Sequence, residues 1–219
     1  MFPPVLRYVT EASTESRPNS YAFGMPRWLY LVPVGFVYVG WFVFVVIFLL
    51  LRRRSRDKTR KADPASFGSI ILQAVGLGAA GMSRPKFAPF LPVDWRAQYL
   101  FAALVLLLVI ASLWFIGVAV RTLGKQWSLQ ARVLETHELI RRGPYGVVRH
   151  PIYTGLFGML IAASLAHGRW IGLLIGSAIY LAGTLMRIRI EERLLREQFG
   201  GAYDDYARDV PAFIPGLPK

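Results

Sequence analysis

The sequence predicts an all-α integral membrane protein with about five hydrophobic helical segments, the last two a tight hairpin, and a cytoplasmic cap. Three observations predict this. Hydrophobic residues make up 54% of the 219 residues and charged ones only 18%, which is too apolar for an ordinary soluble domain and excludes disorder. Uncharged stretches recur at the length of a membrane helix. The 26 basic residues outnumber the 13 acidic ones and gather between those stretches, as loops on an anionic leaflet do, rather than forming a nucleic-acid face.

Taken in order, the first 27 residues lack an apolar h-region, so no cleavable signal peptide is expected. Trp28 to Leu51 gives 24 uncharged residues, Ser66 to Ser83 gives 18, and Ala97 to Val120 gives 24. A span needs about 20. The second stretch is short and rich in Gly and Ala, which suits packing inside a bundle. Pro151 to Ala166 and Trp170 to Met186 have 16 and 17 residues, with only His167, Gly168 and Arg169 between them. That is a helical hairpin whose arms must tilt, thin the bilayer or re-enter. Gly172 and Gly176 form a GxxxG pair, read either as close helix approach or as chance in a Gly-rich chain.

Alternation of five segments puts 19 basic residues on one side and 7 on the other. The richer side is expected to be cytoplasmic, with the N-terminus outside and the C-terminus and the 121–150 loop inside. The basic residues comprise 21 Arg and 5 Lys, a bias that suits a GC-rich bacterial genome and hence a bacterial inner membrane. There is no Cys, which excludes disulfides, thiolate metal sites and a Cys nucleophile. With only three His, no metal site is expected.

Gly76, Gly78 and Gly81 match GxGxxG, but they lie inside an uncharged membrane stretch without the strand and spaced acidic residue of a dinucleotide site. Helix packing explains them better. The informative region is 121–216. It holds Gln130, the run His137-Glu138-Leu139-Ile140, Gly143-Pro144-Tyr145, and Arg149-His150-Pro151-Ile152-Tyr153-Thr154-Gly155 at the hairpin entrance. Arg187, Glu191 and Glu192 follow the hairpin, then Phe199-Gly200, Tyr203, Tyr206 and Pro211. Each feature alone has a structural explanation: snorkelling Arg, a Pro in a first helical turn, an i,i+4 pair. Together they differ. Hairpin arms of similar length return Arg187 and Glu191 to the surface left at His150, so carboxylates, a His, Arg and Tyr converge beside apolar helices. That suits a charged, partly apolar ligand.

The set resembles the isoprenylcysteine carboxyl methyltransferase family and, more widely, the membrane phospholipid methyltransferases. It spans about 98–216, leaving 1–96 as an N-terminal segment with two membrane helices and 97–219 as the methyltransferase core. Membrane sterol reductases carry a similar Arg-His-Pro element, so an NADPH-dependent reductase is the rival enzyme reading; a non-catalytic membrane protein is the rival outside enzymes. The resemblance implies S-adenosylmethionine as cofactor in the cytoplasmic cap. Its contacts would be Gln130, His137, Glu138, Leu139, Ile140, Tyr145, His150, Pro151, Ile152, Tyr153 and Glu191, with Arg187 on the substrate and Arg187 and Glu191 as the catalytic pair. The His137–Ile140 run departs from the family's usual His-Thr-Leu-Val, so backbone contacts there carry over better than side-chain ones.

Physically, Glu191 can pair with the cofactor's ammonium, and His150 or the N–H groups at the Pro151 helix start can hold its carboxylate. Tyr145 and Tyr153 can flank the adenine or face the sulfonium. A carboxylate acceptor is already ionised near neutral pH and needs no general base. An amine acceptor needs one, and Glu191, Glu192 and His150 are the candidates. The expected partner is an amphiphilic acceptor entering from the bilayer: an isoprenylcysteine-like carboxylate, a phospholipid amine or a small thiol.

Overall fold

The computed structural model describes residues 28–51, 59–81, 95–128, 131–134, 136–168 and 170–216. The expected absence of a leader in 1–27, Gln130, Arg169 and most of the loop charges in 52–58 and 84–94 lie outside them. The helices are α1 (Trp28–Leu51), α2 (Ser66–Gly81), α3 (Trp95–Leu123), α4 (Pro151–Ala166), α5 (Trp170–Phe199) and α6 (Gly201–Asp209). Among the described residues, three helices are long and apolar enough to cross a membrane: Leu31–Leu50, Ala97–Gln126 and Trp170–Phe199. α2 and α4 are shorter apolar helices of 16 residues each, about 24 Å long at 1.5 Å per residue. The outward faces of the long helices are lipid-like, with Phe42, Leu100 and Trp114 all about two-thirds exposed or more.

Two expectations are corrected. The chain is not strictly all-α. Strand β1 (Thr59–Ala62) pairs antiparallel with β2 (Arg132–Leu134), in register Thr59 to Leu134 and Ala62 to Arg132. The ladder satisfies backbone groups where the segments after α1 and α3 cross, and Ala131 and Val133 cluster with Ile190 and Leu194 of α5. The second correction concerns the last hairpin arm, which does not stop at Met186. α5 runs unbroken for 30 residues to Phe199. Charge marks where a helix leaves lipid, not where it ends. The run after Met186 is rich in helix formers, and the i,i+4 pairs Arg187–Glu191 (2.8 Å) and Arg196–Glu192 (3.3 Å) support it.

α4 and α5 form the expected hairpin. α3 packs on α4, α1 on α3 and α4, and α2 along α5. Val37, Val105, Val109, Met159, Ala162 and Ala163 make the core where α1, α3 and α4 meet. The α2–α5 contact rests on glycines. A Cβ at Gly76 would lie 2.6 Å from the Tyr180 nitrogen, and one at Gly183 2.9 Å from the Gln73 nitrogen. Backbone therefore touches backbone, and Gly176 joins the seam through its carbonyl, 2.8 Å from that same Gly76 Cβ position. Of the GxGxxG glycines only Gly76 packs closely; Cβ atoms at Gly78 and Gly81 would meet nothing within 4 Å.

Candidate active site

The site is assembled where α4 begins and α5 emerges. Pro151 opens α4 at a position where a missing N–H costs nothing, with His150 in non-helical conformation ahead of it. The chain turns at His167 and at Gly168, whose φ is +65°. It returns along α5, so Arg187 and Glu191 arrive beside Tyr153. The Tyr153 hydroxyl donates to Glu191 Oε1 at 2.7 Å, and Arg187 Nε donates to the same oxygen at 2.8 Å and to the Tyr153 hydroxyl at 3.0 Å. Arg187 Nη1 reaches the Ser66 carbonyl at 3.3 Å, which ties α2 to the cluster. Below it the Tyr180 hydroxyl donates to the Tyr153 carbonyl at 2.8 Å.

His150 sits between two carboxylates. Its Nδ1 is 3.4 Å from Glu191 Oε2 and its Nε2 3.5 Å from Glu192 Oε1. Its ring stacks on Tyr153, centroids 5.7 Å apart and planes at 14°. Burial opposes charging of this imidazole, but the two carboxylates outweigh burial and raise its pKa above the ordinary 6.5. Glu192 is gripped by Arg149, Nε at 2.9 Å and Nη2 at 2.8 Å from one oxygen. Among the described residues, two carboxylates, each tied to an Arg, and the Tyr153 ring face His150.

A cavity of about 300 Å³ opens from this cluster. Every sequence-predicted site residue among those described lines it: His137, Glu138, Leu139, Ile140, Tyr145, His150, Pro151, Ile152, Tyr153, Arg187 and Glu191. Gln126 Oε1 accepts the Glu138 N–H at 2.6 Å and so orients the His137–Ile140 run. Burial, then the nearby Arg132 charge, lowers the His137 pKa, leaving that imidazole neutral. Burial, with Glu191 nearby, raises that of Tyr145 well above 10, so it stays a phenol. Burial likewise pushes Tyr206 up to about 12, and its hydroxyl donates to the Tyr145 carbonyl at 2.6 Å.

Among the described residues, His137 Nδ1 and Tyr203 Oη are buried polar atoms that line the cavity with no hydrogen-bond partner, and His150 Nε2 has the 3.5 Å approach of Glu192 Oε1 but no hydrogen bond. Orphaned groups of this kind are rare unless a ligand or water meets them. They fit a ligand with several polar groups, as S-adenosylmethionine is. The backbone N–H groups of Arg149 and His150 are already donated to the Pro211 and Ala212 carbonyls, at 2.9 and 3.0 Å. They are not free to hold a carboxylate.

Sequence reasoning missed the opposite wall. Trp41, Phe44 and Phe48 of α1 and Gln73 and Leu77 of α2 line the same cavity. The aromatics gave no signal in a uniformly apolar stretch. Gln73 did: it is the one amide in that stretch, and its Nε2 donates to Thr184 Oγ1 of α5 at 3.0 Å. Arg149 was also missed as a site residue, although two adjacent carboxylates call for two cations.

Residues 103–197 match the family described as isoprenylcysteine carboxyl methyltransferase. The nickel-cobalt-cadmium resistance protein NccN of Alcaligenes xylosoxydans xylosoxydans is 31% identical over 126 residues, which cover 57% of this chain and 55% of that protein. A protein-S-isoprenylcysteine O-methyltransferase of Schizosaccharomyces pombe is 34% identical over 82 residues, 37% of this chain and 35% of that one. Methanethiol S-methyltransferase 2 of Bradyrhizobium diazoefficiens is 36% identical over 73 residues, 33% of this chain and 27% of that one. The chain thus spans at most about half the length of these relatives. The matched residues run from α3 through the Glu191–Glu192 pair, and over that segment the chain is similar to the isoprenylcysteine carboxyl methyltransferase family.

Proposed function

We propose that the chain is an S-adenosylmethionine-dependent methyltransferase acting at the cytoplasmic membrane surface on the anionic head of an amphiphilic acceptor, a carboxylate such as that of an isoprenylcysteine-like molecule. The observation that carries this is the lining of the cavity. Its polar end is the His150–Glu191–Arg187–Tyr153 cluster, and its other end is walled by Phe44, Phe48 and Leu77 of the membrane helices.

When bound, S-adenosylmethionine supplies an electrophilic methyl group on a sulfonium. The His137–Ile140 run, Tyr145, the His150–Tyr153 run and Glu191 are the residues that would hold it. A carboxylate presents about four acceptor sites. Glu191 spends Oε1 on Tyr153 and Arg187, while Oε2 faces only His150 at 3.4 Å, which leaves room for an ammonium donor. Arg187 holds the acceptor's charged head. Its fixed position, 2% exposed, means it orients rather than captures. We assign the catalytic core to 97–219, with the 121–150 loop and the 187–219 tail as its cap, and α1 and α2 as the wall toward lipid.

An anionic acceptor fits a cluster whose two carboxylates are already engaged. Glu191 is tied to Arg187 and Tyr153 and Glu192 to Arg149 and Arg196, and the two carboxylates raise the His150 pKa against the effect of burial. A carboxylate arrives ionised and needs no base, whereas an ammonium acceptor would need His137 or one of the engaged groups to take its proton. Two of the three relatives are named for O- and S-methyl transfer to a prenylated cysteine and a thiol. The test incubates purified protein with radiolabelled S-adenosylmethionine, a farnesylcysteine analogue and membrane lipid extract. A base-labile methyl ester supports the reading. Base-stable label in phospholipid contradicts it, and label confined to a water-soluble thioether contradicts entry from the bilayer.

A further inference from the structure

We propose that Arg149 is a positioning residue that makes the cofactor site depend on a strap formed by residues 207–213. Its guanidinium faces two ways. One edge grips Glu192 on α5, at 2.8 and 2.9 Å. The other, through Nη1, donates to the carbonyls of Ala207 and Val210, at 2.7 and 2.5 Å. The strap continues along the entrance to α4. Pro211 and Ala212 accept the N–H groups of Arg149 and His150, and Phe213 accepts the Thr154 hydroxyl at 2.5 Å. Phe213 then anchors the strap in the helix bundle, its ring 5.7 Å from Phe157 and packed on the Ala80–Leu160–Tyr180 cluster.

The consequence follows from donor geometry. A planar guanidinium serves a carboxylate along one edge and carbonyls from the other; an ammonium keeps the charge but not the fork. The Arg149 side chain is 8% exposed, so its remaining donors have few alternatives in water. Strap, Arg149 and Glu192 therefore form one chain of contacts whose far end is one of the two carboxylates flanking His150. Loosening the strap frees Glu192, and with it the imidazole that lines the cofactor cavity.

The part of this claim that concerns the ligand rests on the proposed methyl transfer; the strap itself does not. The test measures S-adenosylhomocysteine binding by calorimetry, and amide hydrogen exchange along the chain, in wild type, Arg149→Lys, Thr154→Val and the swapped pair Arg149→Glu with Glu192→Arg. Arg149→Lys is expected to bind about tenfold more weakly, the loss of a charge-assisted bond. Exchange at the Arg149 and His150 amides should quicken by a similar factor, while α1 and α3 keep wild-type protection. Thr154→Val should give the same pattern, smaller, through the loss of the bond to the Phe213 carbonyl and the longer one to the His150 carbonyl. The swapped pair should recover neither readout, because a carboxylate at 149 cannot donate to the Ala207 and Val210 carbonyls. Wild-type affinity and exchange in Arg149→Lys and Thr154→Val, or recovery in the swapped pair, would overturn the proposal. If wild type itself fails to bind S-adenosylhomocysteine, the methyl-transfer reading fails, and exchange alone decides the strap.

Discussion

The polar end of the cavity and the helix seam behind its apolar wall are held by different forces. At the polar end, Arg149, His150, Arg187, Glu191 and Glu192 are fixed by directed bonds between 2.7 and 3.5 Å. Each such group is costly to leave unpaired away from water, so every member depends on the next. Behind the apolar wall the α2–α5 seam, whose glycines do not themselves line the cavity, is fixed by shape, through Gly76, Gly176 and Gly183, and depends on the absence of side chains. The polar end should break when a charge is removed, the seam when an atom is added.

The largest effect expected is from Glu191→Gln. It leaves Arg187, almost fully buried, without its charge partner, and breaking such a pair costs about 3–5 kcal/mol. S-adenosylhomocysteine affinity in calorimetry should fall at least about a hundredfold, and the melting temperature in detergent should drop with it. Smaller loss than in Arg149→Lys would place the centre of the network elsewhere.

Next come two glycines of one helix. Gly76→Ala puts a methyl group 2.6 Å from the Tyr180 nitrogen and should destabilise the bundle by about 1–3 kcal/mol. Gly78→Ala meets nothing within 4 Å and should be neutral or stabilising, by up to about 1 kcal/mol. Thermal unfolding in detergent compares them, and equal melting temperatures would contradict the seam.

The pH dependence is a finer test of the polar end. His150 has its pKa raised in the folded state, so its contribution to stability is complete below the unfolded value of 6.5 and is lost as pH rises through the higher folded value. The melting temperature should therefore decline above pH 6.5, with a slope of no more than about 1.4 kcal/mol per pH unit for one proton. His150→Gln should flatten that part of the profile. An unchanged profile would mean the imidazole is neutral between its carboxylates.

The smallest effect is expected at the far turn. The His167 ring contacts the Ala163 carbonyl, at 2.7 Å, and meets Tyr38 edge-on. His167→Ala should leave S-adenosylhomocysteine affinity within error in the same titration.

The same contrast explains what could be read in advance. The segments Trp28–Leu51 and Pro151–Ala166 are visible as uncharged runs, and the meeting of Tyr153 with Glu191 follows from arms of similar length. The length of α5 was hidden because apolarity stops at Met186 while helix propensity does not. The strap was hidden for a deeper reason. Pro211, Ala212 and Phe213 act through backbone carbonyls, which every residue has, so their side chains carry no trace of the role. The Gln73–Thr184 bond joins positions 111 apart, and only the unexpected polarity of Gln73 hinted at it. β1 and β2 are too short to impose a period-2 pattern.

Calorimetric titration of the detergent-purified protein with S-adenosylhomocysteine and, separately, NADPH tests the central claim most directly. The account predicts binding of S-adenosylhomocysteine at one site per chain, lost in Glu191→Gln and kept in His167→Ala. Binding of NADPH with none of S-adenosylhomocysteine would contradict it and favour a reductase built on the same Arg149-His150-Pro151 element.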